Sequence, residues 1–220
     1  MRQLVSVCLS VAIFALPAMA VDRTKRKANR AAAASEKTTK KRKASKVEQA
    51  PETFKAIFDT TKGKFVVEAH RSWSQQGVDR FYDLIKVGFF TDIAFFRVVK
   101  NFVVQFGIHG DPKKSQEWRE KKISDDAVKE SNKMGYLSFA TAGPGTRTTQ
   151  LFINLRDNTN LDSMGFSPIA KVIEGIDVVK SINSEYGERP HQGKIQAEGN
   201  AYLKKEFSKL DYIKSVTIAK

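Results

Sequence analysis

The sequence predicts a mostly β domain, and three observations carry that expectation. From about Phe54 to the C-terminus, short runs of aromatic and β-branched residues recur between clusters of turn-forming residues, which is the pattern of consecutive short strands. Only two main segments, beginning near Gln75 and Gly175, carry apolar residues at helical offsets. At 220 residues the chain allows one good-sized domain plus extensions, long enough to bury a real core. The domain is expected over residues 53–220 as a mostly β structure with two α-helices. No internal repeat is present.

Before that domain lie two segments of different composition. Arg2, the apolar run Leu4 to Leu16, and Ala18-Met19-Ala20 have the layout of a secretory signal peptide over residues 1–20. The run is too short to span a bilayer comfortably, and a buried first helix is the alternative. Cys8 comes too early, after Val7, for a lipoprotein acceptor. A signal peptide implies an exported chain, periplasmic or secreted, with no stable membrane anchor after processing. Within the stretch 21–52, residues 21–50 hold eleven Lys and Arg against Asp22, Glu36 and Glu48, more than half of the chain's formal net charge of +14. With almost no large apolar side chains this stretch cannot offset the entropy of ordering and is expected to be a disordered linker or arm, reaching roughly 30 Å on average. It is either a polyanion-binding arm or a solvated spacer. Because the charge is concentrated there, the domain itself is not read as a nucleic-acid binder. Cys8 is the sole cysteine, so neither a disulfide framework nor a cysteine metal site is expected.

Within the domain, Phe54–Asp59 and Lys64–Ala69 read as strands joined through Thr60-Thr61-Lys62-Gly63. Helical spacing follows: Val78, Phe81, Tyr82, Leu84 and Ile85 form one apolar face, with Ser74 as N-cap and Gly88 just past the end. Phe95–Val99 and Phe102–Phe106 have strand composition about a turn at Lys100-Asn101. Alternation then puts Val103 and Gln105 on one face of the second strand, and Arg97 with Phe95 and Val99 on one face of the first. Residues 107–133 are largely polar apart from Trp118, and their length argues for a structured loop or insertion. His109 and Asp111 have no ligand spacing with His70 or His191, so no metal and no cofactor are expected. Leu137 to Ile153 reads as strand, Gly/Pro loop and strand. Asn158–Ser163 is loop-like, Phe166–Val172 a strand, and Gly175–Ile182 the second helix. Ser184–Gly199 reads as a polar loop, Asn200 as the cap of a short helix, and Tyr212–Ala219 as a closing strand.

Taken alone, Arg97 and Gln105 fit an edge-strand arginine and a surface amide reaching water. Two long stretches in order point elsewhere. From Phe95 the chain matches F-x-R-V-x-x-x-F-x-x-Q, and from Ser138 it matches S-x-A-x-A-G-P-x-T-x-x-x-Q-x-F. Together they closely resemble the cyclophilin family of peptidyl-prolyl isomerases, over a region from about Phe54 to the C-terminus.

The resemblance implies a closed antiparallel β-barrel with helices over its open ends, no cofactor, proline-containing polypeptide clients, and a monomer. It implies that Arg97 donates a hydrogen bond to the twisting prolyl nitrogen and that Gln105 binds the substrate carbonyl and holds Arg97. Phe102, Val103, Phe152 and Leu161 would build the proline pocket, Ala140 and Thr141 would contact the residues before proline, and Gln150 would form a polar wall. Val103 stands where the family often has methionine, Phe166 where it often has histidine, and Asn160 where it has an aromatic. These departures change the pocket rim, where Phe166 is also counted as substrate-binding, and weigh against the cyclosporin binding of many family members. The alternative function is a cyclophilin-fold interaction module tethered to a polyanion by its basic arm. A hydrolase is excluded for want of G-x-S-x-G and of a nucleophile partnered by histidine.

Overall fold

A computed structural model describes residues 49–219. The signal peptide expected at 1–20 and all but the last residues of the arm expected at 21–52 lie outside the described residues. The packed part begins at Ala50, which is buried and donates its amide to Asp79 Oδ1 at 2.9 Å.

Among the described residues nine strands form one antiparallel sheet: β1 Thr53–Thr60, β2 Gly63–His70, β3 Ile93–Ala94, β4 Arg97–Val99, β5 Val103–Phe106, β6 Tyr136–Phe139, β7 Leu151–Asn154, β8 Pro168–Glu174 and β9 Tyr212–Ile218. Their order is β3-β9-β1-β2-β8-β6-β7-β5-β4. The edge strands β3 and β4 are separated in sequence by Phe95 and Phe96 alone, so the sheet curls until its two ends meet along the chain. No ladder among the described residues joins those ends, and the architecture is a curled, barrel-like sheet.

The core follows strand parity. Phe58 stacks on Phe65 with ring centroids 4.6 Å apart and meets Phe106 edge-on at 5.9 Å. Val104, Phe106, Leu151, Ile153, Leu137 and Phe139 belong to the same buried cluster, each occupying every second position of its strand. The face opposite carries Val103 and Gln105 of β5, and that is where the site forms.

Five helices are present among the described residues, where two main helices and a short one capped by Asn200 were expected: α1 Gln75–Lys86, α2 Pro112–Arg119, α3 Ile176–Lys180, α4 Gln192–Glu198 and α5 Asn200–Glu206, whose N-cap is Gly199. Helix α1 buries Val78, Phe81, Leu84 and Ile85 as its spacing predicts. Helices α2 and α4 show no helical periodicity because each buries a single residue, Ser115 and Ile195. What starts α2 is local chemistry: Asp111 accepts from the Lys113 amide at 2.8 Å, and Pro112 occupies a first-turn position where no amide is needed.

Two further expectations change. Ser74 sits at the N-cap of α1 but its side chain does not cap; its hydroxyl donates to Asp126 Oδ2 at 2.6 Å. Asp126 does the capping instead, accepting from the amides of Gln76 and Gly77 at 3.1 and 3.0 Å. Phe95 does not share a face with Arg97: it packs in the main core, because the backbone between Ala94 and Arg97 leaves one sheet edge for the other and breaks the alternation.

Candidate active site

The register brings the expected residues into a row. Arg97 pairs with Gln105 across β4 and β5, Gln105 with Phe152 across β5 and β7, and Phe152 with Ser138 across β7 and β6. Arg97 Nη1 donates to Gln105 Oε1 at 3.1 Å, and Gln105 Nε2 donates to Gln150 Oε1 at 2.9 Å. The cation is thus the first member of a chain of amides. The guanidinium also lies 5.7 Å from the centre of the Phe102 ring, near enough for a cation–π contribution.

Beside this chain Val103, Phe152 and Leu161 form a small buried cluster of their own, with Phe102, Ala140 and Phe166 packed on it. Phe166 meets Phe152 edge-on at 5.6 Å. These groups line an open pocket of about 370 Å³ together with Arg97, Gln105 and Thr141. Nine of the ten residues expected at the site line it; the tenth, Gln150, lines the neighbouring pocket and joins the site through Gln105.

The walls are held from behind by buried amides that carry no motif in the sequence. Asn132 Nδ2 donates to Asp162 Oδ1 at 2.7 Å and to the Phe166 carbonyl at 2.8 Å, while its Oδ1 accepts from Ser138 Oγ at 2.8 Å. Asn158 Nδ2 donates to the Phe102 carbonyl at 3.0 Å and to Asn154 Oδ1 at 2.8 Å. Two of these bonds end on the lining residues Phe102 and Phe166, and the others end on Asp162, which follows the 3-10 turn Thr159–Leu161, on Asn154 of the strand that carries Phe152, and on Ser138, two residues before Ala140. Burial pushes the Asp162 carboxyl up, but the bonds from Ser131 and Asn132 outweigh it and hold Asp162 below the ordinary carboxylate value. Asn160, on the same turn, is exposed and outside the pocket lining.

The Gly/Pro loop between β6 and β7 is equally determined. Thr141 and Thr146 share a hydroxyl contact at 2.8 Å, and Thr146 Oγ1 also accepts from the Ala142 amide at 2.9 Å. Where the strand β5 ends, Gly107 has φ 101° and a Cβ there would meet the Thr149 carbonyl at 2.3 Å. Only glycine lets the chain pass that close to the residue before Gln150.

Two residues of the stretch expected as a polar loop complete the site. Glu188 is ion-paired to Arg97, with Arg97 Nε donating to Oε1 at 2.6 Å and Nη2 bonded to the same oxygen. Gln192, at the start of α4, also lines the pocket. Neither has a signal in spacing: the segment is placed by the bond from the Val98 amide to the Gly187 carbonyl at 3.1 Å. Among the described residues no group of three or more His, Cys, Asp or Glu is arranged to hold a metal ion.

The family described as cyclophilin type peptidyl-prolyl cis-trans isomerase/CLD matches residues 55–201, well over half of the chain. The chain belongs to the cyclophilin family. A peptidyl-prolyl cis-trans isomerase of Arabidopsis thaliana is 33% identical over 147 residues, covering 62% of this chain and 87% of the relative. Peptidyl-prolyl cis-trans isomerase B of Escherichia coli is 29% identical over 172 residues, covering 74% of this chain and 98% of its own length. In fold, the crystal structure of a Cryptosporidium parvum cyclophilin-type isomerase superposes with a TM-score of 0.59 at 20% identity, over 76% of this chain and 98% of that one. Peptidyl-prolyl cis-trans isomerase activity comes with membership, and the family acts on proline-containing peptides.

Proposed function

We propose that this cyclophilin catalyses rotation about X-Pro bonds in exported client proteins, with Arg97 as the group that acts on the reacting bond. Peptide rotation is opposed by a resonance barrier of about 18–20 kcal/mol, and for X-Pro the uncatalysed exchange takes tens to hundreds of seconds. No nucleophile is needed. In the twisted state resonance is lost and the prolyl nitrogen becomes pyramidal and basic. A fixed cation that donates to it stabilises that state more than the planar one, and each tenfold in rate requires only about 1.4 kcal/mol.

The observation that carries this reading is the bond from Arg97 to Gln105 beside the apolar walls of Val103, Phe152 and Leu161. A guanidinium stays charged and presents a planar fork. With Gln105 holding Nη1 and Glu188 holding Nε and Nη2, the second N–H of each terminal nitrogen is left to meet a proline seated against Phe102, Phe152 and Leu161. Gln105 has a second role as ligand for the substrate carbonyl, Ala140 and Thr141 border the path of the residues before proline, and Phe166 closes the rim. The curled sheet works as a closed barrel, its ends drawn together through Phe95 and Phe96, and the molecule acts as a monomer.

Residues 1–20 direct export to a periplasm or the medium, and residues 21–52 are a basic arm that contacts a polyanion. Isomerisation of a proline tetrapeptide, measured with the full processed chain and with residues 21–50 removed, tests both parts. Equal rates with loss of polyanion binding are expected, with a binding constant that falls steeply as salt is added. Absence of isomerisation in both forms leaves the interaction module as the better reading.

A further inference from the structure

The groove continues beyond the proline pocket. Gln105, Ala140, Thr141 and Gln192 line both that pocket and a second one of about 340 Å³, so a chain seated in the first runs into the second across Ala140 and Thr141. The two differ in charge. The charged residues of the second are Arg119 and Lys122, and no carboxylate lines it.

Arg119, the last residue of α2, donates through Nη1 to Gln196 Oε1 at 2.6 Å. That neutral acceptor fixes the guanidinium beside the groove without compensating its charge. Lys122 is exposed and makes no ion pair among the described residues. The nearby Glu117 is held by Lys121 at 2.7 Å, and neither Glu117 nor Glu120 lines the pocket. Thr148 and Gln150 supply a hydroxyl and an amide that can donate to carboxylate oxygens.

We propose that Arg119 and Lys122 are specificity-determining residues that select clients bearing an acidic side chain within a few residues of the proline. The inference rests on the isomerase reading, and it accounts for the polar 107–133 segment, which carries both cations to the groove. Exposed charges attract weakly and are screened by salt, so the effect is a bias among clients rather than an absolute requirement.

The test uses proline peptides that differ only in carrying Glu, Gln or Lys at each position on either side of the X-Pro pair. At one or more positions Glu should raise kcat/KM about fivefold over Gln, and Lys should lower it. The spread should shrink in high salt, and it should invert in the doubly reversed variant Arg119→Glu, Lys122→Glu. Circular dichroism verifies that this variant folds. Equal kcat/KM for Glu, Gln and Lys at every position overturns the proposal, as does a Glu preference that survives charge reversal. Isomerisation of the all-neutral peptide by the unaltered protein tests the isomerase reading separately. Should that fail, the same peptides are compared by fluorescence anisotropy, and the proposal requires the same charge order in their affinities.

Discussion

Arg97 and Glu188 stand as an ion pair at the edge of the pocket, with Nε donating at 2.6 Å to a carboxylate that is itself largely open to water. Gln105 holds one side of the same guanidinium at 3.1 Å. The fork is therefore anchored from two directions, and its plane is fixed before any client arrives. Pre-set orientation is worth more to a rate than the same contact formed late.

If Glu188 serves that anchoring, Glu188→Ala should lower kcat about three- to tenfold with little change in KM, because the guanidinium gains freedom while the apolar pocket is untouched. Glu188→Gln, which keeps one acceptor, should fall between. An exposed ion pair adds at most about 1 kcal/mol to stability, so melting temperatures should barely move. Unchanged kcat in Glu188→Ala would show that Gln105 suffices alone.

Arg97 carries the larger prediction. Arg97→Ala removes the donor and should lower kcat/KM by about 10²-fold or more, whereas Arg97→Lys keeps a charge without the planar fork and should fall less. Phe102→Ala should raise KM as well, since that ring borders the pocket. The comparison requires variants matched in circular dichroism and melting temperature. Near-normal isomerisation by Arg97→Ala would falsify the proposed role.

Behind the pocket, Asn132 is fully buried and serves Asp162, Phe166 and Ser138 at once. Asn132→Ala takes these partners from the Ser138 hydroxyl and the Phe166 carbonyl, while Asp162 keeps Ser131 and the residue 132 amide, at a cost of about 1–3 kcal/mol for each group left buried and unpaired. Urea unfolding should show that loss, and the displaced Leu161 turn should raise KM more than it lowers kcat. A variant as stable as the parent would mean that these groups find other partners.

Asp126 gives a pH signature. Burial pushes its carboxyl up, but bonds from the Ser74 hydroxyl, the Gln76 amide, Arg147 and the Gly77 amide outweigh burial and hold it below the ordinary carboxylate value. A carboxyl lowered in the folded chain contributes stability that is fully present above its unfolded value of about 3.9 and is lost as pH falls through the folded value. Asp126→Asn should therefore be less stable than the parent by about 1–3 kcal/mol near pH 7, with the gap narrowing as pH drops below about 4. Denaturation curves at several pH values test it, and a gap independent of pH counts against the assignment.

The part of the candidate site that lies on strands was legible in residue spacing, whereas Phe102, Ala140, Thr141, Gln150, Leu161 and Phe166 lie outside the strands and were named through the resemblance to the family. A spacing of two fixes a face, so Val103 with Gln105, and the turn at Lys100-Asn101, follow from residue order once the strands are recognised. The same logic placed α1 and the β1–β2 hairpin, whose apolar positions repeat often enough to define a face. It failed where the chain changes partner at Phe95-Phe96, and for α2 and α4, whose single buried residues set no period. The cap of α1 by Asp126, the amides of Asn132 and Asn158, and the approach of Glu188 to Arg97 across 91 residues of chain were decided by tertiary structure alone. Hydrogen bonds between distant segments depend on where packing brings polar groups after the core has formed, and no local pattern in the sequence records that.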